Sequence, residues 1–70
     1  MKEKLEALVA EMIDKRIYLE EGVGEFEKRY IQLALAQSGG NRTKAAETLG
    51  LHRNTLTRKI GQYKLNGHGR

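Results

Sequence analysis

Seven polar or basic side chains crowd into the eight positions from 52 to 59: His52, Arg53, Asn54, Thr55, Thr57, Arg58 and Lys59, with no acid among them. On a helix that turns 100° per residue, Leu56, Ile60 and Tyr63 share one side. Asn54 and Arg58 fall on the opposite side, with Thr55, Thr57, Gly61 and Gln62 near them. The chemistry such a surface offers is hydrogen bonding to base edges and phosphates. An arginine matches the O6/N7 pair of guanine, and hydroxyl, amide and basic groups suit phosphate oxygens. His52 and Arg53 stand at the N-terminal end, the part of a recognition helix that enters a major groove. Blander roles are open to the same residues. Arg58 and Lys59 can be a solvated helix end that the helix dipole favours. Asn54 and Thr57 can be surface fillers, and His52 can be a cap.

A helix of this kind needs elements to hold it. Asn41–Tyr63 reads as two helices joined at Gly50, where a positive φ costs glycine nothing. Ala45 and Ala46 are small enough to let a second helix cross the first closely, and Leu49, Leu51, Leu56 and Ile60 fill the angle between them. Eight residues, a glycine turn and a longer helix are the layout of a helix-turn-helix. Asn41 is placed to cap the first of these helices, with Thr43 as the rival cap. The exposed N–H groups of that helix end, with Asn41 and Thr43, could hold a backbone phosphate.

Upstream, the chain has no proline and no strand-like alternation. Leu5, Leu8, Val9, Met12 and Ile13 form one helical stripe, which predicts a first helix from about Lys2 to Leu19. The stretch Glu20–Gly24, with two glycines, is expected to break it. A second helix is predicted from about Glu25 to Gln37. Its stripe of Phe26, Tyr30, Leu33 and Ala34 is widened by Ile31 and Leu35, so it asks to be covered on more than one side. Gly39 and Gly40 end it, Arg42–Leu49 forms the third helix, and the fourth runs from His52 or Arg53 to about Lys64. The fold class is therefore all-α, with four helices per chain. Residues 1–38 are expected to serve dimerisation, 41–64 to form the helix-turn-helix, and 65–70 to be a frayed tail in one compact domain.

Bulk properties narrow the function. Seventy residues make one domain, and a chain of this size buries only about 60% of its unfolded surface. Disulfides and thiolate metal sites are excluded because there is no cysteine, and two histidines, His52 and His68, are too few for a metal cage. Oligomerisation is the remaining staple. Residues 1–27 hold four basic and eight acidic side chains, whereas 28–70 hold nine basic and one acidic, Glu47. One end is drawn to a polyanion and the other repelled, which orients a molecule on nucleic acid. The N-terminus mixes charge into its apolar residues and reads as neither signal peptide nor membrane span, so a cytoplasmic protein is expected. No catalytic residue, metal or cofactor is expected: there is no nucleophile–base pair and no phosphate-binding loop, and the chain is too small to enclose a water-excluding pocket.

The stretch from Gly39 to Leu65 closely resembles the helix-turn-helix of the Fis family. The residues that carry the likeness are Gly40-Asn41, Thr43, Ala45-Ala46, Leu49-Gly50-Leu51, Arg53, Thr55-Leu56 and Arg58-Lys59-Ile60. The helix before it also looks like the family's second helix. The first segment matches only as an amphipathic helix.

The resemblance implies that the first two helices pair with those of a second copy in an intertwined four-helix bundle. Leu5, Leu8, Val9, Met12, Ile13, Phe26, Tyr30, Leu33 and Ala34 would lie in that interface. It also implies contact roles. Asn41, Thr43, Thr55 and Lys59 match phosphate-binding positions. His52 and Arg53 match the groove floor, and Arg58 a groove or phosphate contact. At His52 the family's nucleoid member has asparagine, so base preference does not carry over. That member's hairpin arm is absent, which puts a recombinase-stimulating role in doubt.

The expected function is a homodimeric, sequence-specific, transcription-regulatory DNA-binding domain, nucleoid-associated, with double-stranded DNA and itself as partners and none in a membrane. As part of a larger chain it would also meet ATPase or receiver domains, or RNA polymerase. The alternatives are an architectural protein that bends DNA with loose sequence preference, and a protein–protein dimerisation adaptor.

Overall fold

The computed structural model describes residues 1–65. Among these the chain is all-α: α1 Lys2–Asp14, α2 Leu19–Gln37, α3 Arg42–Leu49 and α4 Arg53–Gln62. The expected tail lies outside the described residues from 66 onward. Leu65, placed with that tail from the sequence, is instead 4% exposed and belongs to the core.

All four helices stop in the same way. Within two residues of each end the chain takes a left-handed conformation: Arg16 at φ 62°, Gly39 at 66° (followed by Gly40 at 84°), Gly50 at 69° and Lys64 at 58°. The next amide then reaches back to a carbonyl five residues earlier: Ile17 to Met12 at 3.1 Å, Gly40 to Leu35 at 2.9 Å, Leu51 to Ala46 at 2.9 Å and Leu65 to Ile60 at 2.8 Å. This is the Schellman pattern, which satisfies carbonyls that a helix end leaves without partners. In three of the four cases the returning residue is aliphatic and its partner apolar, the contact that usually accompanies the motif. Two stops use glycine and two use a residue with a β-carbon, which costs of order 1–2 kcal/mol in that conformation.

That difference explains where the expected boundaries miss. The first helix ends at Asp14, not Leu19, because Arg16 turns the chain without a glycine to mark it. The second begins at Leu19, and Gly22 and Gly24 lie inside it. A helical glycine costs about 1 kcal/mol against alanine, which a 19-residue helix with buried side chains can absorb. A β-carbon at Gly22 would sit 2.9 Å from Met12 Cε, so its absence gives the Met12 side chain room. Nothing in the structure explains Gly24. The Tyr18 N–H donates to Glu21 Oε1 at 3.4 Å and helps start the helix, while Glu20 and Glu21 complement its positive end.

The core comprises Ile31 and Leu35 of α2, Ala45 and Ala46 of α3, Leu56 and Ile60 of α4, and Leu65 beyond α4, with Leu49 and Tyr63 packed against it. α2 packs on α3, and α3 on α4. Burying each of the larger aliphatic side chains contributes roughly 1.5–3 kcal/mol. Helix α1 buries no residue at all. The Cα radius of gyration, 13.5 Å, exceeds the roughly 11 Å of a compact domain of this length. The excess fits an N-terminal helix that the single chain does not gather in.

Candidate nucleic-acid interface

Leu56 and Ile60 point inward at 0% and 2% exposure and anchor α4 on the core. The helix period then turns Arg53, Asn54, Thr57 and Arg58 to solvent, and all four are exposed. Thr55 lies at the margin, half-buried. His52 holds the N-cap position with an extended backbone, φ −66° and ψ 144°, yet its side chain makes no capping bond. Its imidazole is exposed and stands beside the uncapped N–H groups of the first turn of α4. Arg53 follows directly as the first helical residue.

The second part of the surface is the start of α3. Asn41 Oδ1 accepts from the Lys44 N–H at 3.1 Å, so Asn41 is the cap and Thr43 is not. That bond commits the amide oxygen of Asn41 and leaves its NH2 group as the donor for a ligand. Thr43 is exposed on the first turn. The loop carrying Asn41 is tied from within. The Ser38 hydroxyl lies 2.9 Å from the Leu35 carbonyl oxygen and 3.0 Å from that of Asn41, and can donate its one proton to either. Gly50 places α3 and α4 in their angle, and its φ of 69° leaves the turn unstrained only for glycine.

Lys59 departs from the expectation of a free phosphate contact. Its Nζ lies 3.0 Å from Glu27 Oε2, and its side chain is 25% exposed. The Tyr63 hydroxyl donates to the same oxygen at 2.6 Å. The reason is geometric: Lys59 in the last turn of α4 and Tyr63 at its C-cap, four residues apart, both reach the side that faces α2. Their two donors, Tyr63 first, hold the Glu27 carboxyl below the usual carboxylate range. The bond to Glu27, with burial second, pushes the Tyr63 hydroxyl above the usual phenol range. Neither Glu27 nor the hydroxyl of Tyr63 was legible as part of a site. They lie 32 and 36 residues from their partners, and the one local cue was the shared face of Lys59 and Tyr63.

The residues expected at an interface between copies are mostly uncovered. Leu5, Leu8, Val9, Ile13, Phe26, Tyr30 and Leu33 are exposed, Leu33 at 60%, and Met12 is half-buried. Phe26 and Tyr30 meet edge to face at 5.7 Å. Ala34 differs: at 6% exposure it is already covered within its own chain and has little surface left for a partner. Leu5, Leu8, Val9, Met12, Ile13, Ile17, Tyr18, Leu19, Gly22, Val23 and Phe26 line one apolar groove between α1 and α2. No described helix is long and apolar enough to cross a membrane.

Comparison with known proteins agrees with this geometry. The chain is 53% identical over 36 residues to the DNA-binding transcriptional regulator NtrC of Azospirillum brasilense, a match covering 51% of this chain and 8% of that protein. It is 46% identical over 41 residues to a signal-transduction and transcriptional-control protein of Clostridium beijerinckii, covering 59% of this chain and 6% of the relative. A protein of Neisseria meningitidis named as a Fis-like DNA-binding protein is 44% identical over 41 residues, covering 59% of this chain and 52% of the relative. The chain thus spans at most about half the length of these relatives. No solved structure matches it at a significant level. The family description "bacterial regulatory protein, Fis family" matches residues 22–63, from inside α2 to the residue that follows α4. The chain belongs to the Fis family of bacterial regulatory proteins.

Proposed function

We propose that this chain is a homodimeric, sequence-specific DNA-binding domain of a transcription regulator, with α4 entering the major groove. One observation carries the reading. The outward side of α4 presents Arg53, Asn54, Thr57 and Arg58 to solvent while its inward side is locked into the core. Arg53 and His52 are then the candidates for base edges. Asn41, Thr43, Thr55 and Arg58 are the candidates for phosphates. The names of the relatives, a DNA-binding transcriptional regulator among them, support the same role. The function is binding, and no part of this reading asks for catalysis.

Homodimerisation is supported by the apolar face that one chain leaves open, from Leu5 to Ile13 on α1 and Phe26 to Leu33 on α2. Two such faces brought together would bury what a single chain exposes, and two copies of α4 would then read two half-sites. Relatives many times longer than this chain support a module that can also be joined to other domains.

Selection from random duplexes, followed by binding measured against salt, tests the reading. The expected results are an enriched site, bound at least 10³-fold more tightly than random DNA, and log K falling by several units per decade of salt. Tight but unselective binding would favour an architectural role. A salt-independent response would favour the protein–protein adaptor and overturn DNA binding. Leu33→Asp should convert a dimer to a folded monomer in sedimentation, because it would bury an unpaired charge at the interface. A wild-type chain that sediments as a monomer at every concentration would refute the dimer.

A further inference from the structure

Two of the ion pairs among the described residues, Lys15–Glu11 and Arg29–Glu25, are exposed and local, four residues apart on one helix. The third joins two helices: Lys59 on α4 and Glu27 on α2. We propose that Glu27 masks Lys59 and so acts as a built-in attenuator of the affinity for DNA. The inference rests on the DNA-binding reading above and goes beyond it, to how strongly that surface holds a polyanion.

Arg53, Arg58 and Lys59 give α4 three cations. Attraction to DNA is set by how many phosphates the protein neutralises, because each one neutralised releases condensed counterions. Lys59 spends its charge inside the molecule. Its ammonium is 3.0 Å from Glu27 Oε2, and the pair is neutral as a unit. A phosphate approaching it meets a carboxylate already in place and gains no net charge.

The geometry keeps the mask on. A lone surface carboxylate would rotate away and leave the lysine free. Here the Tyr63 hydroxyl also donates to the same oxygen, at 2.6 Å. Two donors on one oxygen favour the ionised form and fix its direction. Tyr63 is itself packed against the core, so the clamp has a rigid base.

A rival role for the same three residues is a strut that sets the tilt of α4 on α2. The two roles predict opposite outcomes. Binding of the full chain to a random-sequence duplex is measured between about 50 and 200 mM salt. Under masking, Glu27→Gln removes the negative charge, frees Lys59 and steepens the salt slope by about 0.9 per protomer. It tightens binding about five-fold per protomer near 0.15 M salt. Tyr63→Phe removes the clamp but neither charge, so the carboxylate swings off Lys59 part of the time, and slope and affinity move from the wild-type values part of the way toward those of Glu27→Gln. Circular dichroism melts establish that each variant is folded. Weaker or unchanged binding by folded Glu27→Gln would overturn the proposal. So would weaker or unchanged binding by folded Tyr63→Phe, which decides the matter alone if Glu27→Gln does not fold. Wild-type protein that shows no salt-dependent affinity would sink the DNA-binding reading as well, an outcome distinct from a normal wild type with an unaltered Glu27→Gln.

Discussion

Helix α1 and helix α4 have comparable apolar stripes, and the chain treats them in opposite ways. Leu56 and Ile60 of α4 disappear into a core shared with α2 and α3. Leu5, Leu8, Val9 and Ile13 of α1 remain at the surface, and no residue of α1 is buried. A stripe says that a face must be covered without saying by what. On α4 the cover is local, since α3 lies a short glycine turn away. On α1 the chain supplies only the N-terminal part of α2, and the groove between them stays open. Stability of the C-terminal unit is therefore intramolecular, while α1 draws little burial from its own chain.

The sharpest test of this contrast compares two leucines. Leu56→Ala should cost about 2–5 kcal/mol in thermal or urea unfolding, since it empties a fully buried site. Leu8→Ala, at 45% exposure, should cost well under half as much at high dilution. Its effect should grow with protein concentration if a second copy covers α1. Equal costs at every concentration would erase the distinction between the two regions.

The helix stops sharpen it at a smaller scale. Gly50→Ala should lose of order 1 kcal/mol from the left-handed backbone alone, since open space surrounds the position. Arg16→Gly should gain up to about the same amount by relieving the matching conformation at the end of α1. Denaturation midpoints of the two variants check both signs. A loss at Arg16→Gly would mean that the arginine side chain, and not the turn, matters there.

The smallest effect is in pH. Glu27 is lowered by its bonds to Tyr63 and Lys59, so its contribution is complete above the ordinary carboxylate pKa and is lost as pH falls through the lower folded value. The Tyr63 hydroxyl is raised, so its contribution is complete below the ordinary tyrosine pKa and is lost as pH rises through the higher folded value. Both describe one hydrogen bond and count once. The stability difference between wild type and Tyr63→Phe should therefore be flat across neutral pH and shrink at both extremes. A difference that does not change with pH would show that the bond contributes nothing.

Reading the sequence succeeded where a signal was local. Asn41 as cap, the limits of α3, and the glycine stops at Gly39 and Gly50 all followed from neighbours within one helical turn. The same reasoning failed at Gly22 and Gly24, where glycine usually means a break but packing carries α2 through. It also failed at Arg16, which ends α1 five residues early and carries no turn signal. Within the site, the outward polar run of α4 was legible from its period. The capture of Lys59 was not, since nothing near it in sequence announces Glu27.

By itself, then, the order of amino acids determined the helical class, the glycine-hinged pair and the solvent-facing side of α4, because each depends on spacings of a few residues. Only the tertiary structure decided which apolar stripe is covered and which cation is already paired. Those outcomes depend on which groups the packing of α2, α3 and α4 brings within a few ångströms of one another, a distance that the chain's own numbering does not record.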